Sequence, residues 1–434
     1  MHGKVYVVHC VDTEGPLYED VTVLFQQLKD IYGIELEPTK SSIDKLLCEK
    51  GYENEEAIKN LIDPHKRAIY GTWEEIGEML QIVTSHEFRN QLMDANGNGW
   101  KYSWFCMDHV GFTGENPRRR DEGHHKVFDY YQNMVNNPQN IGGGDIVQFH
   151  HHPVPISGNY HESGTAYWGR TTLDDILCHK ILDRKWFPTV YRPGYHVERP
   201  DSNFFLEQWI PFDYGNQAVH RAETNQLDLM DGILGNWDGA PSEWRVYHPS
   251  HDDYRAEGTC RRWIARCLNM YARIREIEME DIREAFERAQ KGEDTILSFT
   301  NHDFKDMVFD VNRVRDMIAQ VQTEFPDVSF EYADALEAIQ NVCNLPKQKV
   351  NLSVELDLEH QKIHVYADDV FGPQPYLALQ TKDDRYIWDN FTFCESGHWS
   401  YTFYANTIVL SDLIKIGVAA NSSSGDMEVV VLEV

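Results

Sequence analysis

Basic charge is scarce in this chain of 434 residues. Its 40 Lys and Arg stand against 70 Asp and Glu, a formal net charge of −30. Such a field repels phosphate backbones and anionic lipid, which excludes nucleic acid and membrane surfaces as partners. Long apolar runs are missing too: nothing approaches the roughly 20 residues that span a bilayer. The opening MHGKVYVVHCVDTEG has no basic n-region and no small-residue cleavage site, so the expected location is cytoplasmic. Paired cysteines are also absent. Eight are scattered (Cys10, Cys48, Cys106, Cys178, Cys260, Cys267, Cys343, Cys394) with no CxxC, which argues against a zinc–thiolate site and reads as buried free thiols in a reducing compartment. No internal repeat or low-complexity segment is found.

What is there is an ordinary globular composition, 41% hydrophobic and 25% charged, in a chain long enough for two domains. Lys4 to Val11 reads as a buried strand that breaks into the polar loop Asp12-Thr13-Glu14-Gly15-Pro16. Residues 36–99 are charged and helix-rich and read as an insertion. They close in Asp94-Ala95-Asn96-Gly97-Asn98-Gly99, which begins like a calcium loop but carries Phe105 where a bidentate Glu is needed, so a plain turn is expected. From 100 to 335, strand candidates (Ser103–Met107, Asp145–Phe149, Thr189–Arg192, Trp209–Phe212, Thr295–Thr300) alternate with helical stretches near 122–135, 171–184, 259–289 and 306–323. That alternation implies parallel strands in an α/β barrel or doubly wound sheet, with the site at their carboxyl ends. After Pro346 the period becomes two, and short strands over the last stretch predict an antiparallel β-sandwich. The expected division is 1–344 and 345–434.

Four motifs place unusual polar groups where predicted strands end. Asp12 and Glu14 offer a hard ligand, a general base or both, although Asp before Gly and Pro is also turn chemistry. Asp145-Ile146-Val147-Gln148-Phe149-His150-His151-His152 is an apolar strand discharging into three histidines. If it stays extended, His150 and His152 share a side and His151 points away. Two imidazoles plus a carboxylate suit a catalytic divalent ion, zinc first; the bland alternative is a surface His cluster. Tyr191-Arg192-Pro193-Gly194-Tyr195 puts an Arg at the mouth, able to lower a carboxylate's pKa or merely to form a structural ion pair. Phe299-Thr300-Asn301-His302-Asp303 sets a His beside an acid, a candidate general acid titrating near neutrality.

Taken in order, these motifs resemble those of the NodB-type polysaccharide deacetylases. The resemblance covers roughly residues 1–340 less the insertion and implies a distorted (β/α)7 barrel. That family's first motif holds two adjacent aspartates, a base and a metal ligand. Asp12 matches the base, Thr13 stands where the ligand would be, and Glu14 or Asp12 is left to bind the ion. The family's second motif has two histidines four residues apart. His150 matches the first, Val154 occupies the second position, and His152 is the choice in its place, with His161 in reserve. By the same resemblance Arg192 steadies the base and His302 protonates the leaving group. Tyr195, Trp237 (as an aromatic wall) and Asp213 (as a supporting acid) are the candidates near substrate.

The implied activity is metal-dependent removal of an acetyl or other acyl group from a carbohydrate or related small molecule. The competing readings are a glycosidase or other amide hydrolase on the same barrel, and a carbohydrate-binding or scaffold protein with altered catalysis. The Trp- and Tyr-rich C-terminal sheet could bind sugar or a second copy of the chain.

Overall fold

The computed structural model describes residues 2–108, 126–137, 143–152, 172–221, 226–229 and 234–434. His161 and Val154 lie outside the described residues. Nine strands form the first sheet: β1 (Lys4–Thr13), β2 (Tyr102–Met107), β3 (Ile146–His151), β4 (Val190–Pro193), β5 (Phe212–Asn216), β6 (Trp263–Arg266), β7 (Leu268–Asn269), β8 (Thr295–His302) and β9 (Ser329–Tyr332). Every pairing in it is parallel. The order is β6-β5-β4-β3-β2-β1-β8-β7, with β9 against the first half of β1. Only Cys267 separates β6 from β7, and its N–H donates to the Asn216 carbonyl at 2.7 Å. The two ends of the path therefore meet, and the sheet is a nearly closed barrel.

Alternation along each strand sorts side chains between two cores. On β1, Val5, Val7 and Val11 pack outward with Val311, Val314, Ile318 and Val321 of the helix Met307–Glu324 and with Ile282, Ala285 and Phe286 of the helix Met279–Gln290. Tyr6, Val8 and Cys10 instead meet Phe105, Val190, Phe212, Tyr214, Ala265 and Ile296 from the neighbouring strands. That second set is the barrel interior. β1 is buried on both faces, which is why it reads as one apolar run rather than an alternating one.

The insertion is helical: Lys40–Cys48, Glu55–Ile62, Trp73–Val83 and His86–Arg89 all precede β2. The helix Trp73–Val83 starts with a full capping box, Thr72 with Glu75. Asp94 accepts from the N–H groups of Asn96 and Asn98, each at 2.8 Å, and of Tyr332 at 3.0 Å, so the loop there is a turn whose carboxylate is spent on backbone.

Two assignments are corrected. Trp209 ends a helix, Pro200–Trp209, and the strand begins at Phe212. The stretch 259–289 holds β6 and β7 before its helix starts at Met279.

The C-terminal part contains β10 (Ser353–Asp357), β11 (Lys362–Tyr366), β12 (Tyr376–Thr381), β13 (Tyr386–Asp389), β14 (Thr392–Glu395), β15 (His398–Thr402), β16 (Leu413–Asn421) and β17 (Met427–Glu433). They form two antiparallel sheets, β10-β11-β15-β14 and β13-β12-β16-β17. Ile363, Val365 and Trp399 from one sheet pack against Leu377, Leu379, Ile416 and Val418 from the other, as a sandwich requires. The reverse face of β12 and β16 is buried as well: Tyr376, Ala378 and Ala419 join Ile176, Leu177, Ile181 and Leu182 of the helix Thr172–Arg184.

Candidate metal centre

The interior phase of the barrel strands carries their last residues to its carboxyl rim. Asp12 follows Tyr6, Val8 and Cys10; Arg192 follows Val190; His302 follows Ile296, Ser298 and Thr300. On β3, Val147 and Phe149 belong to outward clusters, which leaves His150 and His152 to the other side. His151 takes the outward phase and stacks near Phe149 (ring centroids 6.0 Å apart, 9° between planes).

Glu14, His150 and His152 converge there. All three are buried, and one ligand atom from each lies within 4.8 Å of the others. The Nε2 atoms of His150 and His152 are 2.9 Å apart, and Glu14 Oε1 is 3.3 Å from His152 Nε2 and 3.9 Å from His150 Nε2. A hydrogen bond resolves which atom is the ligand. His150 Nδ1 faces the Arg192 carbonyl at 3.0 Å, and a carbonyl only accepts, so Nδ1 bears the proton and Nε2 presents its lone pair to the cluster. Two nitrogens bound tetrahedrally at zinc distances sit about 3.3 Å apart, close to the spacing seen. Two imidazoles and a carboxylate turned inward on one another fit a divalent cation.

Thr13, the residue between Asp12 and Glu14, turns its hydroxyl to the Phe105 carbonyl at 3.1 Å. The carboxylate of the cluster is therefore Glu14, one residue beyond β1. His152 also dictates its neighbour: a Cβ on Gly194 would fall 2.5 Å from His152 Cγ, so only glycine fits.

Beside the cluster, Arg192 holds Asp12 with two parallel bonds, Nε to Oδ1 at 2.7 Å and Nη2 to Oδ2 at 2.9 Å, and gives Nη1 to the Tyr214 carbonyl. Thr300 Oγ1 adds a contact to Asp12 Oδ2 at 3.3 Å. Burial alone would raise the Asp12 carboxyl, but the Arg192 guanidinium and the nearby His150 outweigh it and hold the group far below the usual carboxylate range. Burial pulls His150 down to about 4 against the opposing pull of Asp12, leaving it neutral and fit to ligate at pH 7.

His302 Nε2 lies 3.8 Å from Glu14 Oε1, and its side chain is 28% exposed. Burial brings it to about 4 as well, with Glu14 and Asp12 pulling upward. The expectation of a near-neutral titration is thus corrected: in the resting site His302 carries no charge at pH 7.

Tyr195 stands edge-on to His152 with ring centroids 4.9 Å apart. It and His196 both adopt left-handed backbone, φ 50° and 55°. The turn is held by the Gly235 N–H on the Tyr195 carbonyl (3.1 Å) and by the Trp237 indole N–H on the His196 carbonyl (2.8 Å). Trp237 is accordingly not a groove wall: it is 1% exposed and packs against Tyr254. Asp213 is corrected too. It takes the outward phase of β5, opposite to Phe212 and Tyr214, and its carboxylate meets Arg262 at 2.7 Å, the Gly215 N–H at 2.6 Å and Glu198.

Sequence reasoning passed over Asp303 and Tyr131. Asp303 accepts from the N–H groups of Glu14 (2.9 Å) and Gly15 (2.8 Å) and from the Tyr131 hydroxyl (2.8 Å). Its place beside His302 was the only signal, and Tyr131 had none.

No protein-family model matches the chain, and no curated protein or solved structure matches it either. Among the described residues no helix is long and apolar enough to cross a membrane.

Proposed function

We propose that this chain is a metal-dependent hydrolase that removes an acetyl or related acyl group from a carbohydrate or similar small molecule. The convergence of Glu14, His150 and His152 at the carboxyl rim of a parallel barrel carries the proposal. A nearly closed parallel barrel, in which Cys267 alone separates β6 from β7, supports the reading as a deacetylase-type barrel.

Glu14, His150 and His152 would hold the ion, zinc being the first choice for such a donor set. When bound, it supplies polarisation of the acyl oxygen and acidification of water. Asp12 stays ionised through the working pH range because its pairing with Arg192 outweighs burial, and it accepts the proton of the attacking water. Arg192 keeps both Asp12 oxygens in place, a task its planar fork performs and a Lys does not. His302, neutral at rest and open to the mouth, receives that proton from Asp12 after the attack and passes it to the departing amine or alkoxide. Tyr195, on its pinned turn beside His152, borders the space for the acyl group.

The test is metal analysis of purified protein together with acetate release from a panel of acetylated sugars. One bound ion per chain and acetate release that stops in His150→Ala support the proposal. A protein that takes up no Zn²⁺ and leaves every acetylated sugar intact refutes it, and release of reducing ends in place of acetate would make it a glycosidase.

A further inference from the structure

The Glu14 carboxylate has a difficult placement. β1 ends at Thr13, so no strand ladder holds the next two residues, yet Glu14 is buried and must keep its oxygen within reach of two imidazoles. Gly15 turns through a left-handed conformation, φ 70°. Consecutive N–H groups at such a turn form a concavity that an anion fills. Here the anion belongs to the chain: Asp303, fully buried, takes the Glu14 N–H on Oδ1 and the Gly15 N–H on Oδ2. Asp303 is tied down in turn. It follows His302 directly, its own N–H reaches the Asp12 carbonyl at 3.4 Å, and the Tyr131 hydroxyl donates to Oδ2. Tyr131 lies against Trp104 of β2 with ring centroids 5.1 Å apart.

We propose that Asp303, backed by Tyr131, is the positioning residue of the metal centre: it fixes the Glu14–Gly15 turn and so aims the Glu14 carboxylate at His150 and His152. The idea rests on the metal reading above. It explains how a chain with Thr13 at the rim can use the longer acid one residue further on, because the additional reach is useful only if the backbone beneath it cannot move. Asp303 meets the Glu14–Gly15 turn at its backbone N–H groups and acts through the main chain.

Asp303→Asn is the sharp variant. It keeps the volume and one acceptor but sets an amide N–H against one of the two backbone N–H groups. Outer partners of metal ligands are worth about 10- to 100-fold in affinity. Titration of the full-length apo-protein with Zn²⁺ against a chromophoric chelator should show a loss of about that size, with circular dichroism unchanged. Tyr131→Phe, which removes one hydroxyl, should lose several-fold and serves where Asp303→Asn fails to fold. In a Glu14→Ala background, Asp303→Asn should cost no further affinity, since nothing remains to be aimed; a merely structural role would add in full. Wild-type-like Zn²⁺ affinity in both variants, or full additivity with Glu14→Ala, overturns the inference. A wild-type chain that binds no Zn²⁺ overturns the metal reading, and this inference with it.

Discussion

Two arginine–carboxylate clusters lie in the same barrel, equally buried, and only one of them belongs to the candidate site. Arg192 grips Asp12 on the interior side of the barrel. Arg262 grips Asp213 and Glu198, each at 2.7 Å, with Asn203 closing the ring at 2.7 Å. In the second cluster one cation faces two acids, burial together with Glu198 raises Asp213 well above its ordinary range, and the polar groups are spent on one another. In the first, one cation meets one acid and the charges balance: Asp12 Oδ1 lies 3.7 Å from His150 Nδ1, and on the far side of that ring His152 Nε2 and Glu14 Oε1 gather near its Nε2. Burial and pairing are common to both. What sets a site apart is ligand atoms aimed at a shared point.

Breaking each side should give opposite phenotypes. The largest effect is expected from His152→Ala, which should abolish Zn²⁺ uptake and acyl hydrolysis together, seen in metal analysis and acetate release, while circular dichroism shows the barrel intact. Next comes Arg262→Met. It strands two buried acids and should cost about 3–5 kcal/mol of stability, measured by urea unfolding, while the folded fraction keeps its activity. An Arg262→Met protein of wild-type stability, or one that is stable but inactive, would erase the distinction between the clusters.

The comparison sharpens further with a histidine of the outward phase. His9 receives the Trp100 indole N–H on Nδ1 at 2.9 Å, so its Nε2–H donates to Asn301 Oδ1, also at 2.9 Å. Burial takes it from 6.5 down to about 3. Between those values the unfolded chain binds the extra proton and the native one does not. Stability contributed by neutral His9 is therefore complete above pH 6.5 and declines as pH falls toward 3, by at most about 1.4 kcal/mol per unit. Urea unfolding at several pH values should show a shallower decline in His9→Gln. The smallest effect is expected from Trp237→Phe, which removes the donor to the His196 carbonyl and should cost about 1 kcal/mol, with Zn²⁺ affinity unchanged.

Strand phase explains what could be read in advance. Asp12, His150, His152, Arg192 and His302 are side chains at or just past strand ends, and period-two alternation announces which side each one takes. Asp213 was misplaced because Trp209-Ile210-Pro211-Phe212 is apolar throughout, and an apolar run does not reveal that its first residue closes a helix. β6 and β7 are four and two residues long, too short for any period to show. Trp237 sits in a glycine-rich loop whose sequence says nothing of burial. Asp303 and Tyr131 were missed for a deeper reason: Asp303 acts on backbone N–H groups, which every residue carries, and Tyr131 acts only through Asp303, so no pattern of side chains betrays them.

The helix Thr172–Arg184 is clasped from two sides, and at Gly417 the approach is so close that a Cβ would come within 2.6 Å of Ile181. The sandwich is therefore no detachable accessory. Trimming this protein to a minimal enzyme by cutting after residue 344 would strip the cover from that helix, and with it the support of Phe149 and Tyr191, whose strands end in His151 and Pro193. A shortened product that precipitates would report the loss of this shared wall and would leave the chemistry at the rim untouched as a question.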